Sequence, residues 1–265
     1  MKKWKLNYAL CSTFDGPVTK HSFSLRCFPK EMILQKVENL NIDVEPCSGF
    51  SRGRDSFQNL LVTGCIENAH EIFQVHVSAD VAKGAGDEPD SRESYRLGMY
   101  KTPTSMTKCG VGLNSFYEKI EKRTAEDDWT RAAQIMDMIY RSFHYVSGST
   151  GFYTSAEEAW HQGCGVCQDY THIFMALCRK EKMIVRYVAG AIPGEGQTHA
   201  WAQVWQNGFW RGFDPTHNRI TDEDYLCFAF GREAGDCFLN RGIYLGSAGT
   251  DQKVLVKMEE IQNDE

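Results

Sequence analysis

Gly163-Cys164-Gly165-Val166-Cys167-Gln168-Asp169-Tyr170 is where this chain changes character. Before Cys167 the glycines signal turns. After it, Tyr170, Phe174, Leu177 and Cys178 recur at the three-to-four residue spacing of a helical stripe. The pattern predicts a helix that begins at or beside Cys167. A helix N-terminus leaves N–H groups unpaired and carries partial positive charge. Both favour a thiolate, and the same N–H groups can stabilise an oxyanion, so Cys167 is placed as a nucleophile would be. Upstream, Ser155 and Glu158 form the signature of a capping box for a short helix that ends before Gly163.

A nucleophilic thiol needs a base and a group to orient that base. Downstream, His199-Ala200-Trp201-Ala202-Gln203-Val204-Trp205 and Phe209-Trp210-Arg211-Gly212-Phe213-Asp214 flank Asn207-Gly208, a strong two-residue hairpin signal. With that loop, Gln206 faces Phe209, Trp201 faces Asp214 and His199 faces Thr216. His199 and Asp214 then share one face as diagonal neighbours, roughly 7–8 Å apart at the backbone. A register slip of one residue would separate them. Gly212 lies on that face too and is expected to leave room beside the pair. Trp201 sits beside His199 across the pleat, placed to wall the pocket. A lone cysteine or histidine belongs to a core more often than to a site, and Asp214 before Pro215 could be a turn residue. The three together, in order and in context, favour catalysis.

Farther out, Trp4–Leu10, Phe23–Phe28 and Phe73–Val77 alternate as strands, and Asp15-Gly16-Pro17 marks a turn. Lys83–Arg96 reads as a polar loop or linker, and Lys101–Gly112 as irregular. A helix is expected from near Ala125, with Trp129, Ala132, Met136, Ile139 and Phe143 on one stripe. Ile184–Ile192 reads as a buried strand, and 225–258 as further strands. The fold class is α+β: an antiparallel β-rich N-terminal domain over 1–100, then a catalytic domain over 101–265.

Composition narrows the function classes. The net charge of −6 argues against nucleic-acid and anionic-membrane partners. Lys5 and Asn7 interrupt the apolar N-terminal run, so it reads as a strand rather than a signal peptide, and a cytoplasmic protein is expected. The ten cysteines are scattered and suit free thiols in a reducing compartment. His161, Cys164, Cys167 and His172 have a zinc-like spacing, but a second Cys-x2-Cys pair is missing and His172 falls inside the helix. No metal and no cofactor is expected.

Gly165-Val166-Cys167-Gln168-Asp169-Tyr170-Thr171-His172, Thr198-His199-Ala200-Trp201 and Gly212-Phe213-Asp214-Pro215-Thr216 resemble the core motifs of bacterial transglutaminase-like proteins, relatives of the papain-like cysteine proteases. Tyr145 with Gly148-Ser149-Thr150, and Phe230-Gly231-Arg232-Glu233 with Asp236 and Gly242, extend the likeness. Leu25-Arg26-Cys27-Phe28-Pro29 and Asp55-Ser56-Phe57-Gln58-Asn59 resemble the β-rich region that often precedes this core, except that Gln58 stands where the family usually has glycine. The resemblance implies a transglutaminase/papain-like core, Cys167 as nucleophile, His199 as base then acid, Asp214 as the orienting carboxylate, and a thioester acyl-enzyme. Trp160, Gly165 and Trp201 are candidate substrate-binding residues, and the substrate would be a peptide, a protein or a small amide. Hydrolysis is the first reading. Acyl transfer to an amine, or a binding module that keeps the fold without catalysis, are the alternatives.

Overall fold

The computed structural model describes residues 1–47, 49–92, 94–120 and 127–262. In chain order the first half gives strands β1 (Lys2–Leu25), β2 (Gln35–Glu45), β3 (Ser51–Arg54), β4 (Leu60–Ile66), β5 (His70–Lys83) and β6 (Glu88–Pro89). Helices α1 (Val111–Lys119) and α2 (Asp128–Ser142) follow, then β7 (His144–Tyr145), α3 (Ala156–Gln162), β8 (Cys164–Gly165) and α4 (Cys167–Lys180). Strands β9 (Ile184–Ala191), β10 (Gly194–Gly196), β11 (His199–Gln206), β12 (Phe209–Asp214), β13 (Arg219–Ile220), β14 (Leu226–Gly231), β15 (Asn240–Leu245) and β16 (Thr250–Glu260) complete the chain. The architecture is α+β, as expected. No helix among the described residues is long and apolar enough to cross a membrane.

β1 organises the N-terminal region. Its alternate residues Trp4, Leu6, Tyr8 and Leu10 are buried, each contributing about 1.5–3 kcal/mol of apolar burial. The first half of β1 pairs with β5 and β16, and its second half with β4 and β15. The expected turn at Asp15-Gly16-Pro17 does not form. The chain stays extended there and shifts register against β5 between Thr13 and Val18. The backbone N–H of Asp15 donates to the Gly249 carbonyl at 3.2 Å, and its carboxylate accepts from the Gly249 N–H at 2.7 Å. These bonds offset the ladder positions that Pro17 cannot fill. Chain order and sheet membership part at the C-terminal end. β15 and β16, grouped by sequence with the second domain, pair with β1.

The second sheet runs β13-β12-β11-β9-β14, with β6 on β12. β9 is buried along its whole length because both faces are covered. Val185, Tyr187 and Ala189 pack under the helices with Phe174 and Leu177, whereas Ala191, Leu226 and Phe228 join the N-terminal core. The open edge of β14 is closed by side-chain amides. Gln35 donates to the Cys227 carbonyl at 2.7 Å and accepts from its N–H at 2.9 Å, and Asn59 does the same for Phe230 at 3.0 and 3.1 Å. Two buried amides thus stand in for a neighbouring strand and fasten the N-terminal region to the core. Gln58, the departure from the family's glycine, has φ of 63°, the left-handed region that glycine takes without strain.

The α2 stripe holds Ala132, Ile135, Met136 and Ile139 in the core. Its expected start near Ala125 lies outside the described residues. α1 falls partly inside the stretch expected to be irregular. Its N-terminal N–H groups at Gly110, Gly112 and Leu113 are taken by the Glu157 carboxylate from α3, a remote cap that local pattern does not reveal.

Candidate active site

Cys167 is the first residue of α4, as the glycine-to-helix transition predicted. The turn before it is held by Asp169. One carboxylate oxygen accepts from the Val166 N–H at 2.8 Å and from the Thr150 hydroxyl at 2.5 Å. A Cβ on Gly165 would lie 2.6 Å from the Asp169 Cβ, so only glycine allows this approach. Burial pushes the Asp169 carboxyl up, and these bonds only partly offset it. The carbonyl of Gly165 accepts from the Val146 N–H at 2.9 Å, joining β8 to β7. Cys167 is half-buried. Its N–H lies in the first helical turn, where no preceding helical carbonyl can receive it.

His199 opens β11 and Asp214 closes β12. The hairpin has the expected register, from Gln206 opposite Phe209 to Ala202 opposite Phe213. Asn207 and Gly208 take φ of 49° and 89°, the two positive values that a tight hairpin turn needs. The backbone ladder stops at Ala202–Phe213, short of the expected His199–Thr216 pair, because the chain turns at Pro215 and Asp214 pairs with Arg219. The shared face is kept nonetheless. His199 Nε2 lies 2.8 Å from Asp214 Oδ2. The buried carboxylate makes Nε2 the protonated nitrogen and leaves Nδ1 for a second partner.

The electrostatics follow from burial and pairing. Burial opposes charge on the His199 ring, but the hydrogen bond to the Asp214 carboxylate and the nearby Cys167 side chain outweigh it and hold the pKa at about 10. Burial also pushes Asp214 up, yet bonds from His199 and His217 bring it well below the usual carboxylate range. Asp214 is fully buried and fully used. Oδ2 accepts from His199, from His217 Nδ1 at 2.7 Å and from the Tyr225 hydroxyl at 2.9 Å; Oδ1 accepts from the N–H groups of Thr216 and His217. Burial and the nearby Asp214 charge push Tyr225 up, so it stays a donor.

The remaining sequence candidates separate. Trp201 is 1% exposed. Its ring lies 6.3 Å from that of His199, nearly parallel, and meets Tyr225 edge-on at 5.3 Å. It therefore backs the histidine from inside and has no free face for a substrate. Trp160 packs on Phe116 and Phe143, with ring centroids 4.2 and 6.2 Å away. Gly165 is buried against Asp169. Gly212 does not leave space beside the pair: Thr221 fills it, and a Cβ would meet the Thr221 hydroxyl at 1.9 Å. His172 is wholly buried and accepts from the Ala234 N–H at 3.1 Å, and burial lowers its pKa to about 3. Arg232 is bidentate to Asp236 at 2.9 and 3.0 Å.

The sequence reading missed His217 and Tyr225. Only the Asp214-Pro215-Thr216-His217 turn could have signalled the histidine, because a turn after a strand end folds residue i+3 back on the aspartate. His199, Asp214 and His217 also offer three potential metal-ligand atoms within 4.8 Å. Their N···O separations of 2.7 and 2.8 Å are those of direct hydrogen bonds. A tetrahedral zinc between them would hold N and O about 3.4 Å apart. The cluster fits a hydrogen-bonded acid rather than a metal centre.

Residues 116–215 match the transglutaminase-like superfamily, and residues 5–82 match the bacterial transglutaminase-like N-terminal region. An uncharacterised protein of Mycobacterium leprae is 32% identical over 92% of this chain and 94% of its own length. An uncharacterised protein of Mycobacterium tuberculosis is 34% identical over 48% of this chain and 46% of its own. Among solved structures, one from Cytophaga hutchinsonii described as a "Putative Cysteine Protease" superposes with a TM-score of 0.80 at 20% identity, covering 99% of this chain and 92% of that one.

Proposed function

We propose, for a chain that belongs to the transglutaminase-like superfamily and carries its bacterial N-terminal region, that it is a cysteine hydrolase cleaving peptide or other amide bonds. One observation supports the reading: Nε2 of His199 is fixed on a buried Asp214, which leaves Nδ1 as the ring nitrogen available to a thiol.

The steps follow from that geometry. Transfer of the Cys167 proton to His199 Nδ1 gives a thiolate beside an imidazolium, the state that the raised His199 pKa favours before substrate binds, and the sulfur attacks the substrate carbonyl carbon. The oxygen takes up the electron pair and faces the first N–H groups of α4. As the carbonyl re-forms, the C–N bond breaks and the imidazolium gives its proton to the departing amine. A thioester on Cys167 remains. His199 then takes a proton from water, hydroxide attacks the thioester, and the carboxylic acid and the thiol are released. Asp214 holds the ring through both halves and keeps its charge throughout. Ten free thiols suit a reducing compartment, which favours the cytoplasm.

Peptide and amide libraries should be screened with wild type beside Cys167→Ala and His199→Ala. Expected is turnover by wild type, complete loss without the thiol and a large loss without the imidazole. Incorporation of a primary-amine probe into a glutamine-bearing protein, with no free acid released, would replace hydrolysis by acyl transfer. Turnover that survives Cys167→Ala would end the reading.

A further inference from the structure

Asp214 Oδ2 accepts three side-chain donors: His199 Nε2 at 2.8 Å, His217 Nδ1 at 2.7 Å and the Tyr225 hydroxyl at 2.9 Å. The two imidazoles therefore share one oxygen atom, with ring centroids 5.1 Å apart and tilted by 45°. They differ in surroundings. His199 is buried, whereas the His217 side chain is half exposed. The backbone N–H of His217 also reaches Oδ1 at 3.3 Å, so this residue grips both carboxylate oxygens. The turn that carries it is pinned by the amide of Asn218, which donates to Asp137 of α2 at 3.1 Å. The neighbouring Arg219 is taken by Asp222 and Asp224.

We infer that His217 is a positioning residue for the proposed reaction: it fixes the Asp214 carboxylate and limits how tightly that carboxylate holds the proton on His199. Each donor on Oδ2 withdraws negative charge from the oxygen that pairs with His199 Nε2. With Tyr225 alone as the second donor, the carboxylate would bind the imidazolium more strongly, and the proton would be released less readily to a departing amine. It would also lose one of the two side chains that define its plane. The inference rests on the triad reading above but has its own test.

That test is the pH dependence of Cys167 alkylation by iodoacetate, measured without substrate in wild type, His217→Ala and His217→Asn. An anionic reagent is drawn by the imidazolium, so its rate falls as His199 loses its proton. The asparagine amide can place a donor where Nδ1 stood. Expected is a basic limb displaced to higher pH in His217→Ala and returned toward wild type in His217→Asn. Where amide hydrolysis is seen, kcat should fall by about 10–100-fold in His217→Ala with KM within about twofold, and His217→Asn should restore most of it, consistent with one hydrogen bond to a charged group. A structural role alone would lower activity without moving the limb. An unmoved limb in His217→Ala, in a protein that hydrolyses amides, overturns this inference and leaves the hydrolase standing. A displaced limb in a protein that hydrolyses nothing upholds the inference and removes the hydrolase. If His217→Ala is too unstable to assay, an unshifted His217→Asn whose kcat falls as far as that of a triad variant also overturns it.

Discussion

Replacing Asp214 by asparagine tests the electrostatic core of the site, because it keeps shape and removes charge. Asp214 accepts three side-chain donors on Oδ2 and two backbone N–H groups on Oδ1. An amide cannot do so in either orientation. With its NH₂ at Oδ2 it faces His199, His217 and Tyr225; flipped, it faces Thr216 and His217. Breaking such a buried pair costs about 3–5 kcal/mol of stability. Loss of an oriented base lowers kcat by about 10²–10⁴-fold, on the order of 3–5 kcal/mol of barrier.

The pH dependence sharpens the test. Asp214 is held below its unfolded value, so its stabilisation is present above about pH 4 and is lost as pH falls. His199 is held above its unfolded value of about 6.5, so its stabilisation is full below that pH and drains as pH rises toward about 10. Between pH 7 and 9 wild type should lose up to about 1.4 kcal/mol per pH unit from this residue. Urea unfolding at pH 6, 7, 8 and 9 measures it. The Asp214→Asn protein should be weaker at pH 6 and much flatter above it. An equal decline in both proteins would refute the Asp214–His199 coupling.

Three further outcomes are expected. Gln58→Gly removes a non-glycine side chain from left-handed backbone and should stabilise by up to about 1 kcal/mol, read as a raised urea midpoint; a lowered midpoint would show that the Gln58 side chain outweighs its strain. Gly165→Ala drives a methyl into Asp169, so it should slow Cys167 alkylation as well as destabilise by about 1–3 kcal/mol; unchanged alkylation would separate that turn from the thiol. Asn59→Ala leaves the Phe230 N–H and carbonyl unpartnered in a buried edge and should cost about 1–3 kcal/mol for each group by thermal unfolding, with little change in KM; a cost under about 0.5 kcal/mol would show that water replaces the amide.

The parts of the fold legible in the sequence were those set by local physics. Asn207-Gly208 dictated the hairpin register that brings His199 to Asp214, and the glycine-to-helix change placed Cys167 at the start of α4. What escaped was set by contacts distant along the chain. Asp15-Gly16-Pro17 reads as a turn until Gly249, far downstream, takes up the Asp15 backbone and side chain. Thr221 filling the hollow at Gly212 depends on a loop conformation that pattern does not encode. Nothing in spacing separates Trp201 the buried support from Trp201 the substrate wall, because both need the same face of β11. His217 is a residue in a turn by sequence, and only the folded turn reveals it as the second imidazole on one carboxylate.

The most direct measurement is intact-protein and peptide mass spectrometry after rapid acid quench during turnover of an amide identified from the library. Expected is the mass of the acyl group on the Cys167 peptide, released by hydroxylamine as a thioester would be and missing in Cys167→Ala. Continued amide turnover, with Cys167 fully accessible to alkylation and no acyl group on it at any time point, would contradict covalent catalysis by this thiol.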